Sequence, residues 1–276
     1  MPVRSWLRLW GYAAVLVLVL VAGFAIGRYT LSRQPAAHAS QAAALAPTFG
    51  GVTVSASGSS LSAEETTLPT GQPAALRLPV SGPDGRPVPC YRVIGDHLIR
   101  LSVVRRDPSV YALSPSLSAD GTWNAAVTLA EAGSWRLLSD FTALDDQGRP
   151  TALLLNVDLS ASGPYTPQPA RSDAPEATID GYTAILAGTA RPGQAEPLLA
   201  TIRRHGQPVA DLGAGACLSV LRDGDLASTS AAADGDTRHG VLRFWVAVPN
   251  PGRYRAFVDF STGGVAHTAA FTLTTS

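Results

Sequence analysis

Lysine is missing from this 276-residue chain: all 21 basic side chains are arginine, and 21 acidic ones balance them to a formal net charge of zero. That balance removes the broad positive field by which proteins hold nucleic acid, so no nucleic-acid partner is expected. Cysteine is nearly missing too. Cys90 and Cys217 are too few to build a disulfide-based scaffold. No glycine-rich loop opens a helix to cradle phosphate, and no Gly-x-Ser-x-Gly elbow or His-Glu-x-x-His pair occurs. The expectation is therefore a protein that is not an enzyme and carries no cofactor.

One long apolar run is present. Residues 9–27 carry no charge, and 19 residues at about 1.5 Å each reach about 28 Å, enough to cross a bilayer core. Arginines flank it on both sides, at Arg4, Arg8, Arg28 and Arg33. The sequence predicts a single-pass transmembrane helix that acts as a signal-anchor, with residues 1–8 in the cytoplasm and the remainder extracytoplasmic. The rival reading is a signal peptide cleaved near Ala37-His38-Ala39. Residues 28–60, rich in Ala, Ser, Pro and Gly, read as a flexible linker.

Beyond the linker the chain repeats itself. Arg100-Leu101-Ser102-Val103-Val104-Arg105-Arg106-Asp107 returns as Cys217-Leu218-Ser219-Val220-Leu221-Arg222-Asp223. Gly85-Arg86-Pro87-Val88 precedes the first copy, and Gly206-Gln207-Pro208-Val209 the second. Gly133-Ser134-Trp135-Arg136 through Asp140-Phe141 is matched by Gly252-Arg253-Tyr254-Arg255 through Asp259-Phe260. Landmarks in one order imply a duplicated domain, with copies at 61–162 and 178–276 joined by a Pro-rich linker at 163–177. Period-two alternation recurs in both copies, between turns made by Gly, Pro and Asp, and no segment has a helical period. The fold class read from this is all-β: two tandem immunoglobulin-like β-sandwiches. The aromatics of the Trp135 and Tyr254 strands are expected in the core. Arg105 with Asp107, and Arg222 with Asp225, read as solvated hairpin ends.

Cys90 and Cys217 admit three readings. In an oxidising compartment they pair and staple one copy to the other. Otherwise Cys217 is a small buried hydrophobe, or it joins His239 in holding a metal. His97 is the remaining weak metal candidate among scattered histidines that mostly adjoin turns. Asp140 and Asp259, equivalent by repeat, read as turn caps or arginine partners.

The motifs quoted above, with Ala119-Asp120-Gly121-Thr122-Trp123 and Asp180-Gly181-Tyr182, resemble those of membrane-anchored secreted proteins of actinobacteria with YtkA-like and CopC-like domains. The resemblance spans most of residues 67–276. It implies immunoglobulin-type sandwiches and, in some relatives, copper or other heavy metals. Relatives carry a His where this chain has Arg100 and Cys217. They carry a His-x-His-Pro where it has Ala112-Leu113-Ser114-Pro115 and Ser230-Ala231-Ala232-Ala233. Without those imidazoles the metal role does not transfer. The functional expectation is a membrane-anchored extracytoplasmic binding or structural protein, whose partner is an envelope protein or a small ligand. The alternative is heavy-metal binding or resistance.

Overall fold

A computed structural model describes residues 53–94, 97–105, 110–167, 174–213, 215–234 and 239–276. The apolar run at 9–27 lies outside these residues. Among those described, no helix is long and apolar enough to cross a membrane.

Among the described residues every element is a strand. In the first copy these are β1 (Ser55–Ala56), β2 (Ser59–Leu61), β3 (Thr67–Pro69), β4 (Pro73–Ser81), β5 (Cys90–Arg92), β6 (Ile99–Arg105), β7 (Val110–Leu113), β8 (Ser116–Leu117), β9 (Thr122–Thr128), β10 (Gly133–Leu144) and β11 (Pro150–Ser162). In the second they are β12 (Glu176–Ile179), β13 (Tyr182–Ala187), β14 (Ala195–Arg204), β15 (Gln207–Pro208), β16 (Cys217–Arg222), β17 (Ser228–Ala232), β18 (Val241–Ala247), β19 (Gly252–Thr262) and β20 (Val265–Thr275).

The first copy stacks the sheet β1-β2-β4-β9-β8 on the sheet β3-β11-β10-β6-β7, with β5 added against β10. Strand β3 runs parallel to β11, and the other pairings are antiparallel. That order is the one by which immunoglobulin sandwiches divide their strands between two sheets. The second copy repeats it: β12-β13-β14, with β15 and β18 both on β14, faces β17-β16-β19-β20.

Alternation explains the packing. In β4, Leu76, Leu78 and Val80 are buried while Arg77 is exposed; in β14, Leu198, Ala200 and Ile202 take the same inward places. Each sandwich has its own core. Trp135 and Tyr254, matched by repeat, are 2% and 0% exposed, and Phe141 and Phe260 are buried as well.

The sheet pairing begins earlier than residue 61. Strands β1 and β2 form a hairpin on β4, and β12 and β13 form its counterpart on β14. Ser-Ala-Ser-Gly-Ser-Ser has no apolar alternation, so it reads as linker. Its pairing comes from the turn instead: Ser57-Gly58 (φ 50° and 79°) and Asp180-Gly181 (φ 49° and 79°) both take the double left-handed conformation that suits a two-residue hairpin. Gly fits the second place of each because it lacks the Cβ that penalises positive φ.

Candidate functional site

Residues 46–276 form one compact unit, and the two sandwiches meet inside it face to face. The outward faces of β6 and β10 meet those of β16 and β19. Val104 and Leu138 from the first copy and Leu221, Leu226 and Phe257 from the second form a separate buried cluster. Three arginines stitch the seam. Arg100 Nη2 donates to the Gly215 carbonyl at 2.6 Å, Arg136 Nη1 to the Asp225 carbonyl at 2.6 Å, and Arg255 Nη1 to the Arg105 carbonyl at 2.8 Å. Arg136 and Arg255 are repeat equivalents. Arg255 reaches the last residue of β6, and Arg136 the turn just past β16. The seam thus has an approximate two-fold symmetry, like the self-complementary contact of a homodimer.

Arg105 is not a solvated hairpin end, and Asp107 lies outside the described residues. The Arg105 side chain is 1% exposed. It pairs with Glu131, donates to the Ala132 carbonyl at 2.9 Å and the Thr166 carbonyl at 3.2 Å, and stacks over Tyr165 at 5.3 Å. Burial of a guanidinium requires such partners, because an unpaired buried charge is costly. The turn before β10 and the start of the inter-copy linker supply them. Arg222 matches the solvated expectation better. It grips Asp225 with two bonds, at 3.0 and 2.5 Å, while both side chains keep a third or more of their exposure. That grip and the Ala227 amide hold the Asp225 carboxyl down at about 2.

Beside the seam lies a cleft of about 870 Å³. Leu98, Leu113 and Leu117 of the first copy and Phe260 of the second supply apolar wall, and Arg100, Asp180, Asp259 and His267 supply polar groups. Its volume and its mix of apolar wall with a few converging polar groups are those of a small-molecule site.

The repeat register places Arg100 directly opposite Asp140 on β10, and Cys217 directly opposite Asp259 on β19. The first pair is an ion pair at 3.9 Å. In the second, cysteine provides no cation. Burial pushes the Cys217 thiol up to about 11, which keeps it neutral, and its Sγ lies 3.0 Å from Ser230 Oγ. Asp259 keeps some exposure, yet burial raises its carboxyl above the ordinary value. The Thr268 hydroxyl, donating at 2.6 Å, and the more distant Arg100 and His97 only partly oppose this.

His267 is buried at the cleft's edge. Its Nδ1 lies 2.8 Å from Asp180 Oδ2, and its Nε2 lies 3.1 Å from Thr262 Oγ1. Hydroxyl, imidazole and carboxylate follow in the order of a hydrolytic relay. However, Thr262 Oγ1 is also 2.8 Å from the Tyr182 hydroxyl, and Thr262 does not line the cleft. Here the chain of bonds ties the Asp180 turn to β20.

The two thiols are free. Cys90 is exposed on β5 opposite Leu144, and Cys217 is buried on β16. His97 is exposed at the cleft, and His239 is exposed in the turn before β18. His97 acts electrostatically on Asp259, and Asp259 in turn on the Cys217 thiol, whereas His239 does not line the cleft. Among the described residues no three His, Cys, Asp or Glu side chains gather where a metal ion could be held. Asp259 was legible as a turn cap or arginine partner, and Asp180 only as part of the Asp180-Gly181-Tyr182 motif. The signal that marked Asp259 was the arginine-to-cysteine change opposite it.

Residues 177–276 match a family described as a domain of unknown function (DUF8832). No curated protein matches the sequence. Among solved structures, the chain is similar to the filamin domain of Lin-41, with 11% identity over 42% of this chain and 97% of that one and a TM-score of 0.28. It is also similar to the Escherichia coli adhesin FdeC, with 16% identity over 80% and 65% and a TM-score of 0.28. Invasin, a bacterial integrin-binding protein, is 12% identical over 77% and 39%, with a TM-score of 0.24. The chain spans less than two thirds of the adhesin and invasin chains, and at these identities the likeness is one of fold alone.

Proposed function

We propose that this chain is a membrane-tethered extracytoplasmic binding protein without catalytic activity, in which two sandwiches fused through one seam present the junction cleft to a ligand. The cleft carries the reading. Its walls come from both copies, so the fused pair builds a site that neither sandwich builds alone. The uncharged run at 9–27 supports the tether, and the zero net charge and arginine-only basic set offer nothing for nucleic acid. Heavy-metal binding has less support, because the histidines of the similar proteins are replaced by Arg100 and Cys217. Protease added to intact cells tests the placement. A C-terminal epitope on the full chain is expected to be lost from the outside and to stay in the membrane fraction otherwise. Deletion of residues 9–27 is expected to abolish the membrane association. Protection of the epitope in intact cells contradicts the proposal.

A further inference from the structure

We infer that the junction cleft takes a small organic cation, an ammonium on an alkyl or aryl body, with its charge at Asp259 and its body against Leu98, Leu117 and Phe260. This rests on the cleft being a binding site and names what it binds.

The charge argument starts from the seam. The first copy neutralises its strand-end acid with Arg100 on the neighbouring strand; the second has the neutral Cys217 there. Arg100 cannot serve both acids equally, since its guanidinium is committed to the Gly215 carbonyl at 2.6 Å and sits 3.9 Å from Asp140. Among the described residues the Asp259 carboxyl takes one hydrogen bond, from Thr268 to Oδ1. Its Oδ2 has no hydrogen-bond donor among the described residues. Asp180, also lining the cleft, has a side chain 57% exposed and meets His267 through Oδ2 alone. Two carboxylates therefore line the cleft, and Arg100, the only arginine lining it among the described residues, is shared with Asp140. A cation entering here restores the balance that the cysteine removed, beside a partly buried carboxylate where the attraction exceeds that in open water.

The apolar argument selects an organic cation over a bare ion. Leu98 and Leu117 line the cleft while 38% and 42% exposed. An aliphatic or aromatic body would cover that surface, at roughly 25 cal/mol per Å² buried. A hydrated metal ion would gain nothing from it, and among the described residues no group of three His, Cys, Asp or Glu side chains is placed to hold one.

The test is calorimetric titration of the full chain, in uncharged detergent at pH 7.5, with two matched probes: 4-phenylbutylamine and 4-phenylbutan-1-ol. The amine is expected to bind at least tenfold more tightly than the alcohol, and Asp259→Asn is expected to erase that preference while leaving alcohol binding unchanged. Each probe's partition into micelles is measured in protein-free detergent and subtracted, and it cancels outright when one probe is compared between wild type and variant. Asp180→Asn, on an exposed turn whose left-handed φ asparagine tolerates, gives a second reading should Asp259→Asn lose its cooperative melt; it is expected to reduce the preference about threefold. Equal binding of amine and alcohol by the wild type overturns the cation assignment and leaves the cleft a binding site. Failure of both probes to saturate overturns the cation assignment together with the reading of the cleft on which it rests. An amine preference unchanged in both variants overturns the assignment to these carboxylates.

Discussion

The two copies share strand order, hairpin turns and core positions, and differ where they face each other. Opposite equivalent acids, the first copy places Arg100 and the second Cys217. A second difference sits nearby. Leu153, opposite Phe141 in the first sandwich, is replaced by His267 opposite Phe260 in the second. Duplication gave two scaffolds with the same packing rules. Divergence concentrated charge and polarity on one side of the seam, where the cleft is. The comparison teaches that equivalent backbone positions can carry one acid as a structural ion pair and the other as an under-compensated group.

The seam gives the largest effect. Phe257→Ala removes the central aromatic of the shared cluster, and is expected to cost about 3–5 kcal/mol in urea denaturation. A loss below about 1 kcal/mol would show that the faces are not packed on one another. Next come the symmetric arginines. Arg136→Ala and Arg255→Ala each remove a charge-assisted bond to the other copy's backbone and are expected to cost about 1–2 kcal/mol apiece. Because their places are equivalent, the two losses should agree. A large loss from one and none from the other would break the two-fold description.

Smaller effects separate the two acids. Burial holds the Asp259 carboxyl above its ordinary value, so its ionised form opposes folding. The associated stability is fully present below the unfolded pKa and is lost as pH rises through the folded one. Asp259→Asn removes that loss and is expected to raise Tm at neutral pH, with the gain fading in acid. Asp140→Asn breaks the Arg100 pair and is expected to lower Tm slightly. Thermal melts from pH 3 to 8 read both, and two shifts of one sign would erase the distinction. The smallest effect is chemical. With its thiol buried and pushed up to about 11, Cys217 is expected to stay unlabelled by a maleimide at pH 7.5 while exposed Cys90 reacts. One thiol labels in the native protein and two in denaturant. No labelling even in denaturant would show the two sulfurs bonded.

Much of the fold was legible because alternation is strong where one strand face is buried. Tyr182–Ala187 is strand from end to end, and β6 alternates from Ile99 to Val103 before Val104 and Arg105 are buried as well. Small polar strands were not legible. Strand β17, Ser-Thr-Ser-Ala-Ala, packs against β16 and carries no apolar period. Arg105 was misread for a related reason. Local sequence cannot show that Glu131 and the linker's Tyr165 and Thr166 return to surround it. The cleft was invisible because its walls come from strands more than a hundred residues apart. Only the Arg100-to-Cys217 change hinted that one acid had lost its partner.

Fusion of the two copies is tested most directly by scanning calorimetry of the intact chain. A single transition whose calorimetric and van't Hoff enthalpies agree is predicted, splitting into two in Phe257→Ala. Two independent transitions in the wild type, unmoved by that substitution, would contradict it.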